Sequence, residues 1–252
     1  MNITLQKTLS KVPEVTIGFW ILKIIATTLG EVGGNAVSQT LEMGYLMGSI
    51  IFGIPLIAAV IAQIKAKGFS SYLYWGTITL TTLAGTTLAD FFDRSLGIGY
   101  LGGSLSLFTL VMASLVIWKK SLGSIDITTV TTAKSELYYW TTIMFSQTLG
   151  TALGDWMADN TGLGYNGSAL LIAIVLAGIA ALYYRSRVSH VSLFWAAFIL
   201  TRPLGATVAN SLDKPIEHGG LGINDITLTA ALTVLMIICI VAIPQRAAHK
   251  SH

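Results

Sequence analysis

The stretch "WTTIMFSQTLGTALGD" at 140–155 opens on a Trp, carries a Gly ten residues on and closes on an Asp. The same frame, Trp–x9–Gly–x4–Asp/Asn, returns without a gap as "WILKIIATTLGEVGGN" (20–35), "WGTITLTTLAGTTLAD" (75–90) and "WAAFILTRPLGATVAN" (195–210). Four copies of one unit restrict the fold more than any other feature, because repeats bury their apolar faces against one another.

Each copy holds two apolar runs. Eight stretches approach the roughly 20 apolar residues that a bilayer core of about 30 Å demands: 17–36, 45–64, 72–91, 100–118, 137–157, 165–184, 191–210 and 224–243. Composition agrees. Of 252 residues 53% are hydrophobic and only 11% charged, where a soluble domain carries about 25% charged residues. The sequence therefore predicts an all-α polytopic membrane protein, a single membrane domain over 1–252. Its eight transmembrane helices form four two-helix repeats at 12–67, 70–120, 135–187 and 190–245. A repeat that crosses twice leaves the next copy in the same orientation, so these are parallel repeats. They are expected to close into a ring of pseudo-fourfold symmetry, the Thr- and Gly-rich odd helices inside and the smoother even helices outside.

Basic residues set the orientation. Lys7, Lys11, Lys65, Lys67, Lys119, Lys120, Lys134, Arg185, Arg187, Arg246 and Lys250 fall on one side, which predicts cytoplasmic termini. The opposite loops hold Arg94 and Lys214 and collect Glu42, Asp93, Asp159, Asp213, Glu217 and Asp225, with Asp93, Asp159 and Asp213 forming an outer vestibule. The N-terminal "MNITLQKTLSKVPEV" lacks the apolar core of a signal peptide, so the first hydrophobic run is expected to be retained. Cys239 has no second cysteine to pair with and reads as a small core hydrophobe.

The Trp, Gly and Asp/Asn positions of the four copies, three of which also carry a Gly-Tyr pair (Gly44-Tyr45, Gly99-Tyr100, Gly164-Tyr165), resemble those of a family of bacterial integral membrane proteins. That family is built from a tandem two-helix repeat of unknown function with a characteristic tryptophan, usually in four copies. The resemblance runs from about Val12 to Ile243 and implies the fold and a bacterial cytoplasmic (inner) membrane. It implies no activity.

Helical neighbours recur every four residues. Counting back along that spacing gives each odd helix a face: Lys23, Thr27, Glu31, Asn35; Ile78, Thr82, Thr86, Asp90; Ile143, Gln147, Thr151, Asp155; Phe198, Arg202, Ala206, Asn210. Lipid does not solvate such side chains, so the stripe is expected to face the bundle interior. Trp to Asp is about 22 Å of helix, which puts Asp90 and Asp155 in the outer half and Gln147 and Arg202 near the middle. The tryptophans Trp20, Trp75, Trp140 and Trp195 read as anchors at the inner interface. Gly30, Gly85, Gly150 and Gly205 permit close helix approach, while Gly33-Gly34 and Pro203 invite breaks.

Glu31 and Arg202 lie about one turn apart in height on helices that a closed ring makes neighbours, so an ion pair is expected there. No cation of the frame lies at the depth of Asp90 and Asp155; Arg94 and Lys214 are the ones near enough to bend inward. Aspartates in that position handle protons or cations. With Glu31 they form a candidate metal set, and Asn35, Asn210 and the hydroxyls of Thr27, Thr82, Thr86 and Thr151 add hard oxygen donors. The cofactor such a set suits is a bound divalent or monovalent cation. His190, His218, His249 and His252 stand in loops or the tail without metal-ligand spacing, and no nucleophile–base arrangement is readable. The expected function is a transporter-like protein, not an enzyme, that moves or binds a small hard cation or proton. Its partners are the lipid bilayer and a small ion or solute, with no nucleic acid. The alternatives are a pseudo-fourfold channel, or a membrane-embedded sensor for a small anionic or zwitterionic solute gripped by Lys23 and Arg202.

Overall fold

The computed structural model describes residues 10–248; the calls on Lys7, His249, Lys250 and His252 lie outside them. Eight α-helices account for the fold: α1 (Ile17–Asn35), α2 (Tyr45–Lys65), α3 (Ser71–Asp90), α4 (Tyr100–Leu122), α5 (Ala133–Asn160), α6 (Gly164–Arg185), α7 (His190–Asp213) and α8 (Asp225–Ala242). Among the described residues there is no strand, only one isolated bridge between Pro13 and Ala247.

The local chemistry of the helix starts follows the repeat. Every odd helix begins at a hydroxyl cap: Thr16, Ser70, Thr132 and Ser189 accept from the backbone amides of Phe19, Leu73, Ser135 and Ser192. The even helices α2 and α4 start instead after Gly44 and Gly99, whose φ angles of 78° and 76° suit glycine. The fourth copy lacks the Gly-Tyr pair, and Asn224 caps α8 with its side-chain oxygen. Neither Gly33-Gly34 nor Pro203 breaks its helix, contrary to expectation; α1 and α7 run through them. The irregular backbone falls further along. Single, widened π-helical turns at Ala36–Thr40 and Phe91–Ser95 follow α1 and α3, whereas α5 and α7 continue as α-helix.

The odd helices form the inner layer, with α1 against α3 and α7, and α5 against α3 and α7. Each even helix packs chiefly on the odd helix of the following copy: α2 on α3, α4 on α5, α6 on α7, and α8 back on α1. Two further contacts run round in the same direction. A Cβ placed on Gly30, Gly85, Gly150 or Gly205 would come within 2.2, 3.0, 2.1 and 2.2 Å of Thr82, Gln147, Arg202 and Thr27 respectively. So the frame glycine of each copy receives the residue seven after the Trp of the next, and the fourth receives that of the first. The aromatic residue before each Trp does likewise. Phe19 meets Trp75 at 5.4 Å, Tyr74 meets Trp140 at 5.7 Å, Tyr139 meets Trp195 at 6.2 Å and Phe194 meets Trp20 at 6.0 Å.

This aromatic ring corrects the expectation that the tryptophans are interface anchors. Trp75, Trp140 and Trp195 are buried at 0%, 4% and 3% exposure, and only Trp20 is part-exposed. They fill one end of the bundle, where aromatic pairs add about 0.5–1.5 kcal/mol each beyond area burial. Six helices, α2, α4, α6, α8, α7 and α1 with its π-helical turn, are long and apolar enough to cross a membrane. α3 and α5 are not among them, because Thr, Gln and Asp fill their inner faces. The even helices bury only 11%, 22%, 11% and 6% of their most apolar stretch, against 67% for α1 and 61% for α7. The outer layer is thus a continuous apolar surface of residues such as Ile54, Leu105, Leu170 and Val241. Water does not favour a surface of that extent.

Candidate functional site

The predicted stripe converges on the axis of the inner layer. All sixteen of its residues are buried, in four tiers: Lys23, Ile78, Ile143, Phe198; Thr27, Thr82, Gln147, Arg202; Glu31, Thr86, Thr151, Ala206; Asn35, Asp90, Asp155, Asn210. The first tier rests on the aromatic ring and the last faces the far end, here called the Asp end.

The middle of the column is a closed ion-pair network. Arg202, fully buried, donates from Nη2 to Glu31 Oε2 at 3.1 Å. The same nitrogen reaches the hydroxyls of Thr86 (2.5 Å) and Thr151 (2.7 Å), and Nη1 donates to the Thr27 carbonyl at 3.1 Å. Glu31 Oε2 also accepts from Thr86 (3.3 Å) and Thr151 (3.1 Å). The expected Glu31–Arg202 pair is therefore present. Its partners come from all four inner helices, which fits a pair that locks helix order, since a buried charge is tolerated only when paired and hydrogen-bonded. Glu31 is spent on Arg202 and does not join the two aspartates. Among the described residues no group of three or more His, Cys, Asp or Glu is placed to hold a metal.

At the Asp end one cation stands between two carboxylates. Arg94 Nε meets Asp90 Oδ1 at 2.9 Å and Nη2 meets Asp155 Oδ2 at 3.2 Å. The π-helical turn carrying Arg94 begins directly after Asp90, and such turns recur at functional sites. The guanidinium sits 6.0 and 5.5 Å from the ring centres of Tyr45 and Tyr100. Both tyrosines belong to Gly-Tyr pairs, and their helix starts are what bring them there. Asn210 donates to the other oxygen of Asp155 at 3.1 Å. Asp90 Oδ2 and Asn210 Oδ1 have no partner, although both residues are 2% exposed.

The expected vestibule separates. Asp159 is exposed, but Asp93 and Asp213 are buried at 6% and 9%. Asp93 packs so close to α4 that a Cβ on Gly103 would lie 1.9 Å from its Oδ1, and neither of its oxygens has a partner. Asp213 accepts from Asn35 at 3.4 Å and lies 3.8 Å from Lys214. The sequence named Arg94 only as a cation near enough to bend toward the aspartates, as it does, and it gave the aromatic residue before each Trp no role. The signals were available: Arg94 stands four residues after Asp90, and "FW", "YW", "YW", "FW" repeats in all four copies. Of the histidines, His190 stacks on Tyr183 at 4.4 Å and His218 is exposed. Cys239 is free and half-buried.

The sequence profile of a repeat of unknown function, DUF347, matches the chain four times, at 18–69, 73–123, 138–189 and 193–245. No curated protein and no solved structure matches it.

Proposed function

Given that the chain belongs to the DUF347 repeat family, four copies long, we propose that it is a transporter-like membrane protein. Its pseudo-fourfold ring lies in the bacterial inner membrane with both termini cytoplasmic, and the Asp end of its polar column binds a proton or a small hard cation. One observation carries the reading: Asp90 and Asp155, both nearly inaccessible, share the single guanidinium of Arg94. Two buried carboxylates beside one cation are short of one positive charge. A proton or a monovalent cation supplies it, and the unpartnered oxygens of Asp90 and Asn210 are the hard donors such an ion prefers. This charge count favours a monovalent ion over the divalent one. The channel reading has less support, because Arg202 reaches across the axis to Thr86 on α3 and Lys23 to Gln147 on α5, and the two side chains plug it.

The test is ligand-dependent stability of the purified chain, wild type against Asp90→Asn/Asp155→Asn. The proposal expects the unfolding midpoint of the wild type to rise saturably with one of Na⁺, K⁺, Mg²⁺ or Mn²⁺, measured against choline, or to depend on pH, and the variant to lose that response. A wild-type midpoint indifferent to every cation and to pH would overturn it.

A further inference from the structure

The column holds a second charge imbalance, at its Trp end and of the opposite sign. Lys23 is fully buried in the first tier, yet the ion pairs among the described residues leave it out. The nearest carboxylate along its own helix, Glu31, is two turns away and engaged by Arg202. The aspartates stand three turns further out than Lys23 in the frame, about 18 Å along a helix, and have Arg94. Their deficit and the surplus at Lys23 therefore do not cancel locally.

The surroundings of Lys23 supply donors where acceptors are needed. Its ammonium has three N–H groups. One donates to Gln147 Oε1 at 3.3 Å, and the face of Phe198 lies 4.2 Å from Nζ. The other residues of its tier, Ile78 and Ile143, are apolar. In the tier above, the hydroxyls of Thr27 and Thr82 donate to backbone carbonyls. Gln147 Nε2, on the same amide carbon as the oxygen that Lys23 contacts, has no partner, and neither has Arg202 Nε. A fully buried cation, an amide N–H beside it and a second guanidinium one tier out make a site that lacks negative charge and hydrogen-bond acceptors together.

We infer that the Trp end of the column is a binding site for a small monovalent anion, halide- or nitrate-sized, held by Lys23 Nζ and Gln147 Nε2. The rest of the tier, Ile78, Ile143 and Phe198, is buried and apolar and offers no competing acceptor, so the proposed ligand is one small enough for Lys23 and Gln147 to hold by themselves. One negative charge cancels the surplus. This site is independent of the one at the Asp end.

The experiment follows the thermal unfolding midpoint of the purified full-length chain as chloride, bromide or nitrate replaces gluconate at constant ionic strength. A ligand that binds only the folded state raises the midpoint with concentration. The expected result is a saturable rise in the wild type that survives in Asp90→Asn/Asp155→Asn and vanishes in Lys23→Met. Gln147→Glu is the second variant and keeps the test decisive should Lys23→Met fail to fold. A glutamate there sets a tethered anion beside Lys23, so it should raise the midpoint in gluconate and abolish the chloride response. A wild type that behaves alike in all four anions, as a neutral lysine would make it, overturns the inference. So does a Gln147→Glu variant that keeps the full chloride shift.

Discussion

Each frame glycine is a socket. A methyl on Gly150 would sit 2.1 Å from Arg202 Cγ and 3.0 Å from Pro203 Cδ, so α5 and α7 must part or Arg202 must leave its network. Overpacking of this kind costs about 1–3 kcal/mol. Gly150→Ala should therefore lower the unfolding midpoint in detergent, while Gly178→Ala within α6, where a Cβ meets nothing within 4 Å, should leave it unchanged or raise it. An equal effect of the two would refute the socket. The periodic count back from Asp90 and Asp155 found the buried stripe because a four-residue step keeps to one face of a helix. It left Arg94 outside the stripe because the count ends at the last residue of the frame, one four-residue step short; Arg94 and Lys214 were both near enough to bend inward, and the sequence did not choose between them. The tryptophans were misplaced for a different reason. Hydropathy does not separate a ring that faces lipid from one that faces a neighbouring helix; the aromatic partner before each Trp does.

Among the elements, the helix boundaries follow from caps and apolar runs to within a few residues, but two inner helices exceed what composition alone supports. α3 and α5 spend their inner faces on Thr, Gln and Asp, and neither is apolar enough to cross a membrane by itself. Those polar groups become tolerable only once the ring closes and satisfies them, as Thr82 and Thr86 are satisfied by the carbonyls of Ala26 and Gly30. In a glycosylation-based insertion assay, isolated α4 and α6 should insert efficiently, and isolated α3 and α5 poorly. The polar pair should recover when α2 precedes α3 and α4 precedes α5, the helices they pack on. Full insertion of α3 alone would contradict this division of labour.

At the scale of the molecule the three cyclic relations, of helix to helix, socket to knob and aromatic to Trp, all close the fourth copy on the first. Closure gathers six charges on one axis. Lys23, Arg202 and Arg94 balance Glu31, Asp90 and Asp155 in total but not tier by tier, with a surplus of positive charge at the Trp end and of negative charge at the Asp end. The proposed function rests on that separation, which leaves the Asp end one positive charge short. That function is read from initial ion uptake into proteoliposomes under an imposed gradient of H⁺, Na⁺, K⁺, Mg²⁺ or Mn²⁺, wild type against Asp90→Asn/Asp155→Asn. Uptake of one ion by the wild type, lost in a variant that still folds, is the predicted result. No uptake of any ion by the wild type, or the same rate in the variant, would contradict it.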